Sequence, residues 1–126
     1  MIEKKKILLI DDTETFLYIL NHILSGEYSV YITKNGDDGL DAAKEIKPDL
    51  ILLDVMMPGL SGYDVLKILK EDEGLKGIPV ILITGNNTEE SMQEGLSLGA
   101  VDYIKKPFVK SIVLERVRNI LQEEEV

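Results

Sequence analysis

Three aspartates stand where apolar stretches of this 126-residue chain end. Residues 50–53 are Leu-Ile-Leu-Leu and run directly into Asp54, and residues 7–10 run into the adjacent pair Asp11 and Asp12. Aspartate is common in turns and helix caps, so each carboxylate by itself has an ordinary structural explanation. If the fold brings all three to one place, they form a cluster of negative charge that another group must balance.

Such a cluster calls for a cation, because two unit charges about 4 Å apart repel by roughly 4 kcal/mol at an effective dielectric constant of about 20. The chain has no cysteine and one histidine, so oxygen atoms are the available ligands. Oxygen ligands favour a hard ion, and Mg²⁺ fits better than Ca²⁺ because too few oxygens are present to surround Ca²⁺. Thr84 and Lys106 also follow apolar stretches, and Lys106 would supply a fixed positive charge.

Five short apolar stretches alternate with five segments of helical length along the chain. The apolar stretches, which are rich in Ile, Leu and Val, predict strands at residues 7–10, 28–33, 50–53, 80–83 and 101–104. The remaining segments predict helices at about residues 13–25, 37–47, 62–71, 88–98 and 109–122. Regular alternation of this kind is typical of an α/β protein.

Strands that read as continuous apolar runs are buried on both faces, and right-handed helical crossovers make neighbouring strands parallel. We therefore expect an α/β, doubly wound (βα)5 flavodoxin-like fold with a five-stranded parallel sheet in the order 2-1-3-4-5. In open parallel sheets, ligands bind beyond the carboxyl ends of the strands. This rule places Asp11, Asp12, Asp54, Thr84 and Lys106 around one site.

The composition limits the classes of protein to which the chain can belong. Its length and apolar content predict one domain spanning residues 1–126. The 14 basic and 23 acidic residues give a net charge of −9, which would repel a phosphate backbone, so we expect no direct nucleic-acid partner. No apolar run approaches the roughly 20 residues of a membrane span, so we expect no membrane contact and a cytoplasmic protein. The lack of cysteine excludes disulfides and thiolate chemistry.

These features, in this order, resemble the receiver domain of two-component response regulators. The resemblance covers essentially the whole chain and rests on the motifs Asp11-Asp12, Asp54 with Met57-Pro58-Gly59, Thr84, Tyr103 and Lys106-Pro107-Phe108. Each motif is common by itself, but the set on a (βα)5 frame is specific. It implies a regulatory phosphoacceptor and not an enzyme, with at most slow self-phosphorylation from small donors and slow self-dephosphorylation.

The resemblance implies a role for each acidic residue. Asp54 would be the phosphoacceptor, and Asp12 and Asp54 would bind Mg²⁺ directly. Asp11 would act on the metal ion mostly through water, and the backbone carbonyl of Met56 would be a further ligand. A carboxylate that attacks a phosphohistidine approaches an anion, so Mg²⁺ and Lys106 would offset the charge on the phosphoryl oxygens.

The resemblance also implies a switch. Thr84 and Lys106 would contact the phosphoryl oxygens, Tyr103 would be the rotating aromatic, and the peptide bond before Pro107 would be cis. Phosphorylation would draw Thr84 toward the new oxygens, and Tyr103 would then turn inward and repack the fourth helix, fifth strand and fifth helix. That surface would meet a downstream protein target or a second copy of the chain.

The first predicted helix carries five apolar residues in a row, residues 16–20, which cannot all face one side of a helix. We therefore expect Phe16, Ile19 and Phe108 to contribute to docking of a sensor histidine kinase or a histidine phosphotransfer protein. A wide buried helix face is the alternative. Ile112 falls off the apolar stripe of the fifth helix, so it is a candidate for contact with a partner.

Three other classes of protein fit the same residues less well. A flavin-binding module would need a hydroxyl- and glycine-rich phosphate loop in place of Asp11-Asp12-Thr13-Glu14. A Mg²⁺-dependent phosphatase with an aspartyl nucleophile usually separates its acid pair by one residue, and a degenerate receiver used only for binding would lack site residues that are present here. The chain is either a complete single-domain regulator or a receiver cut from a longer protein, and its sequence does not identify the kinase or the output.

Two side chains are expected to set the lifetime of the phosphoryl group. Met56 and Asn86 lie two positions after Asp54 and Thr84, where the family geometry places them over the path of the hydrolytic water. Methionine is bulky and apolar, and asparagine hydrogen-bonds water without acting as a base. We therefore expect slow loss of phosphate.

Overall fold

The computed structural model describes residues 3–85 and 89–122. Within these ranges, strands and helices alternate along the chain. In chain order the elements are β1 (Lys6–Ile10), α1 (Glu14–Leu24), β2 (Ser29–Thr33), α2 (Gly36–Ile46), β3 (Leu50–Asp54), α3 (Gly62–Glu71), β4 (Val80–Thr84), α4 (Glu89–Ser97), β5 (Asp102–Lys105) and α5 (Lys110–Gln122).

The strands form one parallel sheet in the order β2-β1-β3-β4-β5, which confirms the predicted doubly wound fold. The central strands β3 and β4 are buried along their whole length, because their apolar runs are covered on both faces. The edge strand β2 is only partly buried. The order reverses at β1 and β3, so the carboxyl ends of these two strands flank the crevice in which such folds bind ligands.

Two apolar layers sandwich the sheet. One layer contains buried residues of α2 and α3. The sheet contributes alternate strand residues to this layer, among them Leu8, Ile10, Ile51, Leu53, Val80 and Leu82. The opposite layer includes buried residues of α1 and α5 and is lined by the other set, Ile7, Leu9, Leu50, Leu52, Ile81 and Ile83. Helices on both faces thus fix each strand, and with it the position of the residue at its carboxyl end.

Polar caps set where the helices begin. The side chain of Asn35 accepts a hydrogen bond from the Asp38 amide at 2.8 Å at the start of α2, and Ser61 and Asp64 form a reciprocal capping box at the start of α3. Thr13 makes no side-chain cap for α1. Its amide donates instead to a carboxylate of the site described below, so the start of α1 is tied to that site.

The predicted element boundaries agree with the structure to within one residue where the ends are described. β3 and β4 each extend by one polar residue, because Asp54 and Thr84 continue the pairing with the neighbouring strand. β5 begins at Asp102 and not at Val101, which is exposed and precedes the paired residues. Thr88, the predicted start of the fourth helix, lies outside the described residues.

Candidate functional site

Asp54 is the last residue of β3, and its side chain is almost completely buried, with 2% of the residue exposed. Its backbone pairs with Ile83 of β4. Gly62, the first residue of α3, packs against the same point, because a Cβ built on Gly62 would lie 2.3 Å from the carbonyl oxygen of Asp54. A strand and a helix start therefore both hold Asp54, and a larger residue at position 62 would separate them.

Asp11 and Asp12 follow β1 and face Asp54 across the crevice. Carboxylate oxygens of the three residues lie within 4.8 Å of one another. Asp11 is fully buried and Asp12 is exposed. The Oδ1 atom of Asp11 accepts a hydrogen bond from the amide of Thr13 at 3.0 Å, whereas its buried Oδ2 atom has no hydrogen-bond partner among the described residues.

Lys106 supplies the positive charge of the site. Its Nζ atom lies 3.5 Å from Oδ1 of Asp54 and 3.7 Å from Oδ2 of Asp11. Its backbone amide donates to the carbonyl oxygen of Thr84 at 2.9 Å, which fixes the start of the β5–α5 connection beside the end of β4. The structure thus brings together the three predicted aspartates and the predicted lysine.

The predicted phosphoryl-contact residue Thr84 and the predicted switch residue Tyr103 lie on the neighbouring strands β4 and β5. Thr84 is the buried last residue of β4, adjacent in the sheet to the end of β3. Tyr103 is half-buried on β5 and packs against the α2–α3 core layer. The peptide bond between Lys106 and Pro107 is cis, as predicted.

The charges of the cluster are not balanced by protein groups alone. Burial of Asp54, followed by the negative charge of Asp11, raises the pKa of the Asp54 carboxyl from 3.8 to about 7, and Lys106 and the Met56 amide only partly oppose this rise. The Met56 amide donates to Asp54 Oδ1 at 3.3 Å. A carboxyl with such a pKa is poised for a cation, because a nearby positive charge favours the ionised form.

The residues present fit a hard metal ion. Oδ2 of Asp11 is buried and accepts no hydrogen bond within the described residues, although the Lys106 ammonium lies 3.7 Å away, and the surrounding carboxylates offer only oxygen ligands. Asp12 is exposed and therefore accessible to an ion that arrives from solvent. The acidic cluster could hold a metal ion with these properties.

The predicted docking residues are distributed over two places. Phe16 and Ile19 of α1 are half-buried, and Phe16 meets Phe108 with ring centroids 5.5 Å apart. The largely exposed residue of the apolar run on α1 is Tyr18, at 74%. Ile112 is exposed, and it lines a groove of about 490 Å³ together with Tyr103 and other residues of β5 and the β5–α5 connection.

Sequence reasoning missed two contributors to the site. Gly62 was assigned only as a helix start, although it sets the approach of α3 to Asp54. The contact between Phe16 and Lys106, whose Nζ lies 4.0 Å from the centroid of the ring, was not predicted, and the predicted docking role of Phe16 stays a prediction. The available signal was that Phe16 lies in the first turn of a helix that begins just after the acid pair. Asn86 lies outside the described residues.

No helix in residues 3–85 and 89–122 is both long enough and apolar enough to cross a bilayer.

One similar protein is the DNA-binding response regulator MtrA of Mycolicibacterium smegmatis, which is 35% identical over 123 residues. The match covers 97% of this chain and 53% of MtrA, so the chain spans about half the length of this relative. The expectation of no nucleic-acid partner is therefore not supported. It rested on the net charge of these 126 residues, and this charge carries no information about the other half of such a protein.

Two solved structures are similar along nearly their whole length. A CheY-like response regulator receiver domain protein from Methanospirillum hungatei is 30% identical with a TM-score of 0.89, and 98% of each chain is covered. The receiver domain of the sensor histidine kinase PA1611 from Pseudomonas aeruginosa, which was solved with magnesium in its active-site cleft, shares the fold at 24% identity and a TM-score of 0.87. That match covers 94% of this chain and 98% of the other. Residues 7–118 match the family of response regulator receiver domains, and the chain belongs to this family.

Proposed function

We propose that this receiver domain is a phosphoacceptor switch that takes a phosphoryl group onto Asp54 in a Mg²⁺-dependent reaction. One observation carries the proposal. Asp54 ends a buried strand within reach of two other acids and one lysine, so a nucleophile, a cation site and a fixed positive charge meet at one point. No base or leaving-group residue for a turnover enzyme is needed to explain this arrangement, and the expected role is regulatory.

The transfer is a displacement at phosphorus. A carboxylate oxygen of Asp54 forms the new bond to phosphorus as the bond to the donor breaks, which is the P–N bond of a phosphohistidine or the P–O bond of acetyl phosphate. The bonding electrons leave with the donor, and Asp54 becomes an acyl phosphate. Lys106, whose ammonium lies 3.5 Å from Asp54 Oδ1, offsets the charge of the incoming phosphoryl oxygens.

Asp12 and Asp54 would bind Mg²⁺ directly, Asp11 mostly through water, and the backbone carbonyl of Met56 would be a further ligand. When bound, Mg²⁺ supplies positive charge that offsets the oxygens of the transferring group. The buried Oδ2 of Asp11, which accepts no hydrogen bond within the described residues, supports this assignment, as does the magnesium site of the PA1611 receiver. In the absence of a cation, the raised pKa of Asp54 keeps a large fraction of the nucleophile protonated near neutral pH.

The signal would leave the site through Thr84 and Tyr103. Thr84 ends β4 beside Asp54, and its movement toward new phosphoryl oxygens would open space for Tyr103, which is only half-buried on β5. A shift of this pair would repack α4, β5 and α5. If beryllium trifluoride with Mg²⁺ leaves the NMR spectrum of Tyr103 unchanged, this part of the proposal is wrong.

The partners proposed are a sensor histidine kinase or a histidine phosphotransfer protein as donor. A downstream protein or a second copy would act on the α4–β5–α5 side, where Ile112 is exposed. Phe16, Ile19 and Phe108 are the proposed docking residues for the donor. If the chain is part of a longer protein, we propose a DNA-binding output for it, because the relative MtrA is a DNA-binding response regulator. Polar substitution of Ile19 tests docking, since it should slow transfer from the phosphohistidine donor but not from acetyl phosphate.

Labelling with acetyl phosphate tests the central proposal. In the presence of Mg²⁺ the chain should gain one phosphoryl group per molecule, detected by mass spectrometry, and a chelator should prevent the gain. Asp54→Asn should abolish labelling, whereas Asp41→Asn on the exposed face of α2 should not affect it. Labelling that persists in Asp54→Asn would contradict the assignment of the acceptor.

A further inference from the structure

A phenylalanine lies against the lysine of the site. The ammonium of Lys106 is 4.0 Å from the centroid of the Phe16 ring, and only 15% of the lysine side chain is exposed. We propose that Phe16 is a positioning residue for phosphoryl transfer, because the face of its ring holds the Lys106 ammonium over the site. This inference deepens the proposed function and rests on it.

The carboxylates by themselves do not fix the ammonium. Its distances of 3.5 Å to Asp54 and 3.7 Å to Asp11 exceed the roughly 2.7–2.9 Å of a close charge-assisted hydrogen bond. The face of an aromatic ring is negative and attracts a cation within about 6 Å of its centroid. The ring of Phe16, whose centroid lies 4.0 Å from the ammonium, therefore provides a third attraction.

This attraction leaves the hydrogen-bond donors of the lysine available. An ammonium has three N–H donors, and close carbonyl or carboxylate acceptors would orient them along fixed directions. A ring face attracts the whole cation and imposes no such direction. Lys106 is thus kept near Asp54 while its donors remain able to turn toward the oxygens of an incoming phosphoryl group.

The ring of Phe16 is itself held in place. It lies on the first turn of α1, and the start of this helix is tied to Asp11 by the hydrogen bond from the Thr13 amide to Oδ1. Phe108 also contacts the ring in a T-shaped arrangement, at 5.5 Å between centroids and 82° between ring planes, which is a favoured aromatic geometry. Phe108 packs in turn against the α1–α5 core layer. The ring therefore has little freedom to leave the lysine.

Fluorination of Phe16 tests the proposal, because fluorine weakens the negative ring face with little change of shape. Proteins with phenylalanine, difluorophenylalanine or trifluorophenylalanine at position 16 are incubated with Mg²⁺ and acetyl phosphate, and the rate of labelling at Asp54 is measured. We expect the rate to fall stepwise, by about threefold to tenfold over the series. In a Lys106→Met background the series should have no effect.

Two variants and one further measurement complete the design. Phe16→Tyr keeps an aromatic face and should restore the rate, whereas Phe16→Leu keeps apolar volume and should be as slow as the most fluorinated protein. In NMR spectra without donor, the Lys106 ε-methylene protons should show a ring-current shift that is present with Phe or Tyr and lost with Leu. This shift reports the contact itself and not transfer.

The outcomes separate this inference from the proposed function. If the wild-type chain is labelled at Asp54 but the fluorinated series is flat, only the role of Phe16 is overturned. An effect that persists unchanged in Lys106→Met, or one confined to a phosphohistidine donor, would also overturn it, in favour of packing or docking. If the wild-type chain is not labelled at all, the proposed function fails and the inference fails with it.

Discussion

A partly buried lysine lies at each of the two edges of the sheet that the strand ends form, and the two lysines have different surroundings. At the carboxyl edge, where β1, β3, β4 and β5 end, Lys106 lies 3.5 Å and 3.7 Å from two carboxylates and over an aromatic ring. At the amino edge, Lys70 in the last turn of α3 donates to two carbonyl oxygens of the α3–β4 connection, those of Lys76 at 3.2 Å and Ile78 at 3.1 Å. Its stem also passes beside Gly99, whose left-handed φ of +111° sets the turn before β5.

The difference separates a structural lysine from a functional one. Lys70 uses its donors to close a loop, and burial lowers its pKa without any acidic partner among its named contacts. Lys106 faces acids that are themselves incompletely satisfied, since Asp11 Oδ2 lacks a hydrogen-bond partner among the described residues. Buried charged groups that lack part of their hydrogen bonding cost stability and are typical of a ligand site. The amino edge should therefore govern stability, and the carboxyl edge should govern phosphoryl transfer.

Replacement of Lys106 should show the largest effect. In Lys106→Met we expect the rate of labelling by acetyl phosphate to fall about 100-fold, because one preorganised positive charge is removed from the path of the phosphoryl oxygens. The free energy of unfolding in urea should change little. A variant that labels at the normal rate but unfolds more easily would reverse the proposed contrast between the two edges.

The pH dependence of stability sharpens the contrast in the metal-free protein. The pKa of Asp54 is 3.8 when unperturbed and about 7 in the folded chain, so between these values the folded state binds the proton more tightly. The contribution of this group to stability is therefore full below about pH 4 and is lost as the pH rises through about 7. With a chelator present, the free energy of unfolding should fall across this window by up to about 4 kcal/mol, at about 1.4 kcal/mol per pKa unit.

Two comparisons check that slope. Asp54→Asn should remove it, whereas Asp41→Asn at an exposed position should retain it. Mg²⁺ should stabilise the wild-type protein more at about pH 8 than at about pH 5, since protonation of Asp54 competes with the metal ion. Urea unfolding at a series of pH values measures the slope in both variants and the stabilisation by Mg²⁺. An equal Mg²⁺ effect at both pH values would argue against Asp54 as a ligand.

Replacement of Lys70 tests the other edge. Lys70→Met keeps most of the side-chain stem but removes both hydrogen bonds to the α3–β4 connection, so the free energy of unfolding should fall by about 1 kcal/mol. The rate of labelling by acetyl phosphate should stay within about twofold of wild type. Lys67→Met, on the exposed side of the same helix, is the control and should change neither quantity. A large loss of labelling in Lys70→Met would show that the two edges are coupled.

Hydrophobic patterning predicted the sheet well because each strand is a short apolar run with a polar residue at its carboxyl end. The same rule brought Asp11, Asp54 and Thr84 to one edge, and the structure confirms that placement. The cis bond before Pro107 followed from the family resemblance, not from the pattern. The predicted ends of β3 and β4 are one residue short, because backbone pairing continues into the polar residues Asp54 and Thr84, which patterning excludes.

Contacts between distant elements were not accessible from the pattern. Phe16 was assigned to a surface because five apolar residues follow one another on α1, and the pattern does not tell which of them meets the β5–α5 connection. The close approach of Gly62 to the Asp54 backbone is likewise a distance between elements and leaves no periodic signal. The unpartnered oxygen of Asp11 depends on burial and on the position of every neighbouring donor.

The smallest expected effect concerns the apolar side chain of Met56, just beyond the carboxyl end of β3. Met56 is 71% exposed and lies two residues after Asp54, so it is free to cover the approach of water to an acyl phosphate. Hydrolysis needs a water in line with the bond that breaks, and asparagine at position 56 would hydrogen-bond such a water instead of obstructing it. Met56→Asn should therefore lose its phosphoryl group several-fold faster, a difference of about 1 kcal/mol in barrier. Met56→Leu should decay like wild type, as should Ile68→Asn, which changes an exposed apolar residue on α3. Decay is followed by mass spectrometry after removal of donor, and equal rates in all four proteins would mean that Met56 does not control access of water.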